Sequence, residues 1–285
     1  MSNIIYTILL FNVLIIVFKM FEKYNVDNLQ ALIINYITAG VCSYLFLEQE
    51  ISLDIVLNSD WIYHAIIIGT LFIIVFNFYA YGIQKVGISI STVTNKMSLI
   101  IPVCAALFLY PETESFTYLK GIAFFLALLG IYLSSTNGGK LSFDKKYLWL
   151  ILLVFIGQGL SDSIFNDFAQ KFPNEGGYLF FMVLFFMATV SGILILTGKS
   201  FNKKNSLQLK SVFWGIVFGV PNFFSLVFFL KALGNMESSI VFPLVSMGVV
   251  VSSSLIGLFL FKEKLSKSNW IGILLSLCAI YIFSF

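Results

Sequence analysis

The sequence predicts an all-α integral membrane protein in which ten transmembrane helices form two inverted five-helix repeats. Composition, the spacing of apolar runs and an internal repeat predict it. Hydrophobic residues make up 59% of the 285, charged residues only 11%, and mean hydropathy is +0.95. An ordinary soluble domain is about a quarter charged. A soluble globule this apolar would expose adhesive surface everywhere, so lipid must be the solvent for most of the chain. The net charge of +3 is spread over short loops and offers no basic patch for nucleic acid. All 17 basic residues are Lys.

A helix needs about 20 apolar residues to cross a hydrocarbon core of roughly 30 Å. Such runs fall at 2–20, 29–47, 61–83, 88–110, 116–135, 147–169, 177–197, 210–233, 238–261 and 267–285. The first begins directly after Met1 without a basic segment or a small-residue cleavage site, and reads as a retained helix rather than a signal peptide. The longest connections, 48–60, 136–146 and 198–209, are too short for a soluble domain. Function is therefore expected within the bundle or at its mouths.

A shift of 147 residues lays Phe18-Lys-Met-Phe21 on Phe165-Asn-Asp-Phe168 and Gly87 on Gly234. With a four-residue slip, Leu107-Phe-Leu-Tyr-Pro-Glu112 lies on Leu258-Phe-Leu-Phe-Lys-Glu263; Ser115 then meets Ser266 and Gly121 meets Gly272. Residues 1–140 and 141–285 thus form two units of five helices. An odd number makes the second enter the membrane inverted, as in many transporters. This layout resembles the EamA-like branch of the drug/metabolite transporter superfamily. The resemblance is carried by Glu112 and Glu263 closing the fourth helix of each unit, and by Gly121 with Gly130 and Gly272 with Ser276 in the fifth. It implies a ten-helix bundle with a central cavity, and substrates such as amino acids, metabolites, nucleotide-linked sugars or drugs.

Two charges lie deep in apolar runs. Lys96, within Ser-Thr-Val-Thr-Asn-Lys-Met-Ser, sits about 12 Å below the start of the fourth run. A charge at mid-membrane costs at least ~2.5–3.5 kcal/mol, so it should face water or a partner. Lys96 reads as an anion-binding group, a structural ion pair or a snorkelling side chain. Its Ser/Thr-rich setting also resembles the fourth helix of triose-phosphate translocators, although the Glu-Pro expected next is absent and Pro102 comes six residues later. Asp162 is the only acid well inside a run, with Asn166 one turn on. It reads as a proton relay, an amine ligand, a neutraliser of Lys96 or a residue at the mouth. Asn35, Asn77 with Tyr81, Asn95 and Asn222 complete the candidate substrate-binding set; interhelix bonding is the other reading of each amide, and of Asn12. Pro102 and Pro243 each free a carbonyl one turn earlier and can kink their helices. Gly215-x-x-x-Gly219 fits close helix packing.

Cys42, Cys104 and Cys278 lie in apolar runs without metal or disulfide spacing. There is one His, His64, and no phosphate loop, nucleophile motif or acidic pair. No cofactor or metal is expected, nor is an enzyme. The loops after helices one, three, five, seven and nine hold thirteen Lys; the opposite face holds Lys120, Lys171 and Lys231. Basic loops stay cytoplasmic, which places both termini outside, whereas the resemblance implies termini inside. The function expected is secondary transport of an amino acid or other small organic solute across a bacterial cytoplasmic membrane, by a monomer or homodimer. Helices three, four, eight and nine should line the cavity. The alternative is an accessory or assembly membrane protein.

Overall fold

The computed structural model describes residues 2–47, 52–102, 105, 117–134, 136–137, 140–141, 143–172, 177–200, 207–236 and 238–283. Glu112, Ser115, Cys104 and the far part of the fourth apolar run lie outside the described residues. The first half holds α1 (Ser2–Lys23), α2 (Asn28–Leu45), a short α3 (Leu53–Leu57), α4 (Ile62–Lys85), α5 (Ile88–Met97) and α6 (Tyr118–Ser134). The second holds α7 (Leu148–Lys171), α8 (Gly177–Ser200), α9 (Leu209–Asn235), α10 (Ser238–Phe259) and α11 (Lys267–Phe283). Every expected run carries a helix. The additions are α3, with Asp54 in its first turn, and a two-residue ribbon pairing Thr136–Asn137 with Lys140–Leu141.

Local chemistry sets the ends. Asp27 accepts the Gln30 N–H at 2.9 Å and starts α2; Ser266 and Asn269 bond reciprocally and start α11. Ahead of α7, Asp144 is held below the usual carboxylate range, first by the backbone N–H of Lys146 and then by its ammonium. The partnership raises Lys146 in turn.

Polarity runs opposite to that of a soluble domain. Thr7, Asn12, Asn35, Thr92, Asn95 and Asn222 are buried, while Leu9, Phe125, Phe186, Leu194 and Phe213 are exposed. Monomeric soluble proteins rarely show large apolar patches, so this exterior belongs in lipid. Among the described residues five helices are long and apolar enough to cross a bilayer: α1, α4, α7, α8 and α9. Shorter apolar helices accompany them. The chain is an integral, multi-pass membrane protein.

Packing within a bilayer depends on close approach rather than on hydrophobic drive. Gly215 and Gly219 of α9 rest on α2, where a Cβ would strike the carbonyls of Ala31 and Asn35. Gly69 of α4 rests the same way on Leu184 and Ala188 of α8. Gly130 and Gly272 let α6 and α11 meet at Ser276 and Ser134. Further neighbours are α2 with α8, α1 with α9 and α10, α7 with α4 and α5, and α5 with α10. Phe18, Phe21, Phe76 and Phe218 pack edge-on or tilted between α1, α4 and α9.

The two prolines differ. α10 runs unbroken through Pro243, which costs a bond only near its first turn. α5 ends at Met97, and Ser98 and Leu99 form a turn. Pro102 has no N–H for the Ser98 carbonyl, which instead accepts from Ile101 N at 2.9 Å.

Candidate functional site

A cavity of about 70 Å³ lies inside the bundle, enough for about five waters at roughly 10–15 Å³ each. Six helices line it: α1, α4, α5, α7, α9 and α10. Four were expected, as the third, fourth, eighth and ninth apolar runs; α1 and α7 are the additions. Most of the wall is aromatic, with Phe11, Phe18, Phe72, Phe76, Tyr79 and Phe229 prominent. The polar groups gather at one place, formed by Asn95 and Lys96 of α5, Gln158 and Asp162 of α7, and Ser246 of α10.

The break after Met97 sets Lys96 in the last turn of α5, where the helix dipole favours a cation. Its ammonium lies 4.7 Å from the centroid of the Phe11 ring. Asp162 Oδ1 accepts from Gln158 Nε2 at 2.8 Å, and Gln158 Oε1 accepts from Asn95 Nδ2 at 2.9 Å. An amide relay therefore ties α5 to the carboxylate of α7. No carboxylate among the described residues lies within 4.0 Å of the Lys96 ammonium. The two side chains line one chamber without a direct ion pair.

The other four candidates lie elsewhere. Asn222 Nδ2 donates to Asn35 Oδ1 at 3.0 Å, with both side chains fully buried between α9 and α2. Asn77 is off the cavity wall, and its Oδ1 finds no partner among the described residues. Tyr81 is 43% exposed on the outer surface. Asn12 bonds to Ser252 at 2.7 Å and joins α1 to α10.

Gln158, Tyr79, Ser246 and Phe11 went unread in the sequence. Phe72, Phe76 and Tyr79 recur at helical spacing, as do Phe11, Ile15 and Phe18; these two stripes face the cavity. The polar stripe of Asn77 and Tyr81 lies on another face of α4. Gln158 stands one turn before Asp162, which was a readable signal.

Away from the cavity, Glu263 follows α10 and reaches the start of α5. Its Oε1 accepts Ile88 N at 2.6 Å, and its Oε2 accepts Ser89 N and Ser89 Oγ, both at 3.3 Å. Gly87, at φ +115°, provides the left-handed turn that aims these donors at the carboxylate. The Glu marked in the sequence as closing one fourth helix thus caps the other.

Among the described residues no cluster of His, Cys, Asp or Glu could hold a metal. Comparison with known proteins agrees with the membrane architecture. A solved crystal structure, 16% identical, overlays 99% of this chain and 94% of its own with a TM-score of 0.64, a likeness of fold. An uncharacterized protein of Haemophilus influenzae is 29% identical over 289 residues, covering 99% of this chain and 97% of that one. A probable 4-amino-4-deoxy-L-arabinose-phosphoundecaprenol flippase subunit, ArnE of Proteus mirabilis, is 32% identical over 72 residues. That match covers 25% of this chain and 63% of ArnE. The EamA-like transporter family model matches residues 145–285. Residues 145–285 therefore belong to the EamA-like transporter family of the drug/metabolite transporter superfamily.

Proposed function

We propose that the protein is a secondary transporter that carries a small zwitterionic metabolite, such as an amino acid, through the central cavity by alternating access. One observation carries this reading: Lys96 and Asp162 face the same chamber and leave each other unpaired. Neither charge can face lipid cheaply. A solute with a carboxylate and an amine satisfies both, and the aromatic wall accommodates its apolar part.

Alternating access between inverted halves requires a pseudo-two-fold relation. Exchanging α1, α2, α4, α5 and α6 with α7, α8, α9, α10 and α11 supports one. The pair α2–α9 becomes α8–α4, α1–α9 becomes α7–α4, and α1–α10 becomes α7–α5. The contacts α2–α8, α5–α10 and α6–α11 map onto themselves. The cavity-lining helices also form a closed set under the exchange. On this reading residues 1–140 and 141–285 are the two repeats of a ten-helix carrier in a bacterial cytoplasmic membrane.

Transport by purified protein in liposomes tests it, after comparison of metabolites in cells and medium with and without the gene. Lys96→Met is expected to abolish transport while folded protein remains in the membrane. Normal transport by the Lys96→Met, Asp162→Leu double variant would reduce the pair to a structural one and overturn the site. A second reading has support in the flippase-subunit relative, namely action as one subunit of a larger membrane assembly. Co-purification of a second membrane protein in fixed ratio, without transport by this chain alone, would favour it.

A further inference from the structure

Two cavities stand in line along α5 and α7. The second, of about 440 Å³, lies where α4 begins and α7 ends. Tyr63, His64, Pro102, Ser163, Asn166 and Asp167 are among its lining residues. Its rim is at the surface, since Tyr63 is 72% exposed and the Lys171 side chain 54%. It holds a polar cluster: His64 Nε2 lies 2.8 Å from Asp167 Oδ2, and Lys171 Nζ donates to the same oxygen at 3.0 Å. His64 Nδ1 and Asn166 Oδ1 are buried without a partner among the described residues. Such atoms are satisfied by water or by a polar solute.

Residues close in sequence line the two cavities. On the chain after α5, Leu99 faces the central cavity and Pro102 the outer one. On α7, Asp162 faces the central cavity and Ser163 the outer one. Between these pairs Ile101 sits on Gly159, so close that a Cβ on Gly159 would overlap the isoleucine side chain. Ile101 belongs to helical backbone that resumes at Ile100, just past the Ser98–Leu99 turn that separates it from α5. A turn between two helical segments can pivot without breaking either of them. At its other end, α5 is fixed by the Glu263 carboxylate.

We propose that Ile101 seated on Gly159 is the gate of this protein, and that the cavity around His64 and Asp167 is the port through which polar solutes reach the central chamber. The proposal rests on the central cavity being the transport site. The port offers donors and acceptors to a small polar or zwitterionic solute while it sheds water. The gate then moves by rotation of the helical segment that begins at Ile100 about the Ser98–Leu99 turn, with α5 and its Glu263 cap held still.

The test needs no known substrate. The full-length chain carrying Cys42→Ala, Cys104→Ala and Cys278→Ala receives a single reporter, Ser246→Cys, on the central wall. It is treated with a membrane-impermeant trimethylammonium-ethyl methanethiosulfonate, added to one face of oriented membrane vesicles at a time. A parallel His64→Cys reporter identifies the port face and shows that the fold is intact. Adding Ile101→Ala is expected to speed modification of residue 246 at least tenfold from the port face only, with residue 64 unchanged. Gly159→Ala, whose new Cβ drives Ile101 off its seat, should act in the same direction and serves if Ile101→Ala fails to fold. An unchanged rate at residue 246, or a rise from the opposite face, overturns the gate. A rise as expected, without solute transport by the parent protein, would keep the gate and remove the transport reading.

Discussion

At the scale of single residues, the deep charges did most to mark the site. Lys96 and Asp162 were visible in the sequence because a charge in an apolar run has few tolerable surroundings. The amides were less legible, since a buried amide is as useful between helices as on a cavity wall; Asn35 and Asn222 bond to each other, while Asn95 joins the relay. Gln158 mediates that relay, giving one bond and receiving another. Gln158→Leu would leave Asn95 Nδ2 without its acceptor and Asp162 Oδ1 without its donor. The expected cost is ~1–3 kcal/mol of stability for groups left unpaired in a buried site. Thermal unfolding in detergent should show a lower midpoint, and transport should fall further than the folded fraction does. An unchanged midpoint would mean that the relay carries no weight.

Among the elements, α5 departs most from regularity. The spacing of apolar residues predicts a helix over 88–110, and the bond left unmade at Pro102 accompanies a break at Ser98 and Leu99, between α5 and helical backbone that resumes at Ile100. The sequence marks the proline but not whether the neighbouring helices allow the break, as the unbroken α10 around Pro243 shows. The other end of α5 rests on Glu263, which accepts three donors. Glu263→Ala is expected to cost about 0.5–2 kcal/mol, the range for losing an N-terminal cap. Protection of the Ile88 and Ser89 amides from hydrogen exchange should fall selectively. A second element-level expectation concerns Gly219→Val in α9. Its side chain would strike the Asn35 carbonyl and Thr38, forcing α9 off α2. Loss of folded protein on size-exclusion chromatography is the expected outcome, whereas Gly198→Val, with nothing within 4 Å of its added Cβ, should be tolerated.

At the scale of the molecule, the multi-pass helical layout was legible because bilayer thickness fixes helix length and lipid excludes other backbone arrangements. The participation of α1 in the cavity was not, because its wall residues, Phe11, Leu14, Ile15 and Phe18, look like core filler, whereas Asp162 marked α7. Orientation follows from charge. Thirteen Lys on one set of loops against three on the other predict termini on the extracytoplasmic side. A reporter fused after Phe285 that works only outside the cytoplasm is the expected result; activity only in the cytoplasm would reverse the assignment.

The Glu263 carboxylate has a consequence for the order in which the protein is made. It stands 175 residues after the Ile88 amide that it caps. At roughly 5–20 residues per second, the ribosome delivers it about 9–35 s later. Through that interval the nascent first half holds a helix whose leading amides have no side-chain acceptor. Chains stopped at residue 140 should therefore be cleared by membrane proteases faster than full-length chains in a pulse–chase experiment. Co-synthesis of residues 141–285 should slow that clearance, and Glu263→Ala in the second fragment should remove much of the rescue. The half made first becomes durable only when the half made last arrives.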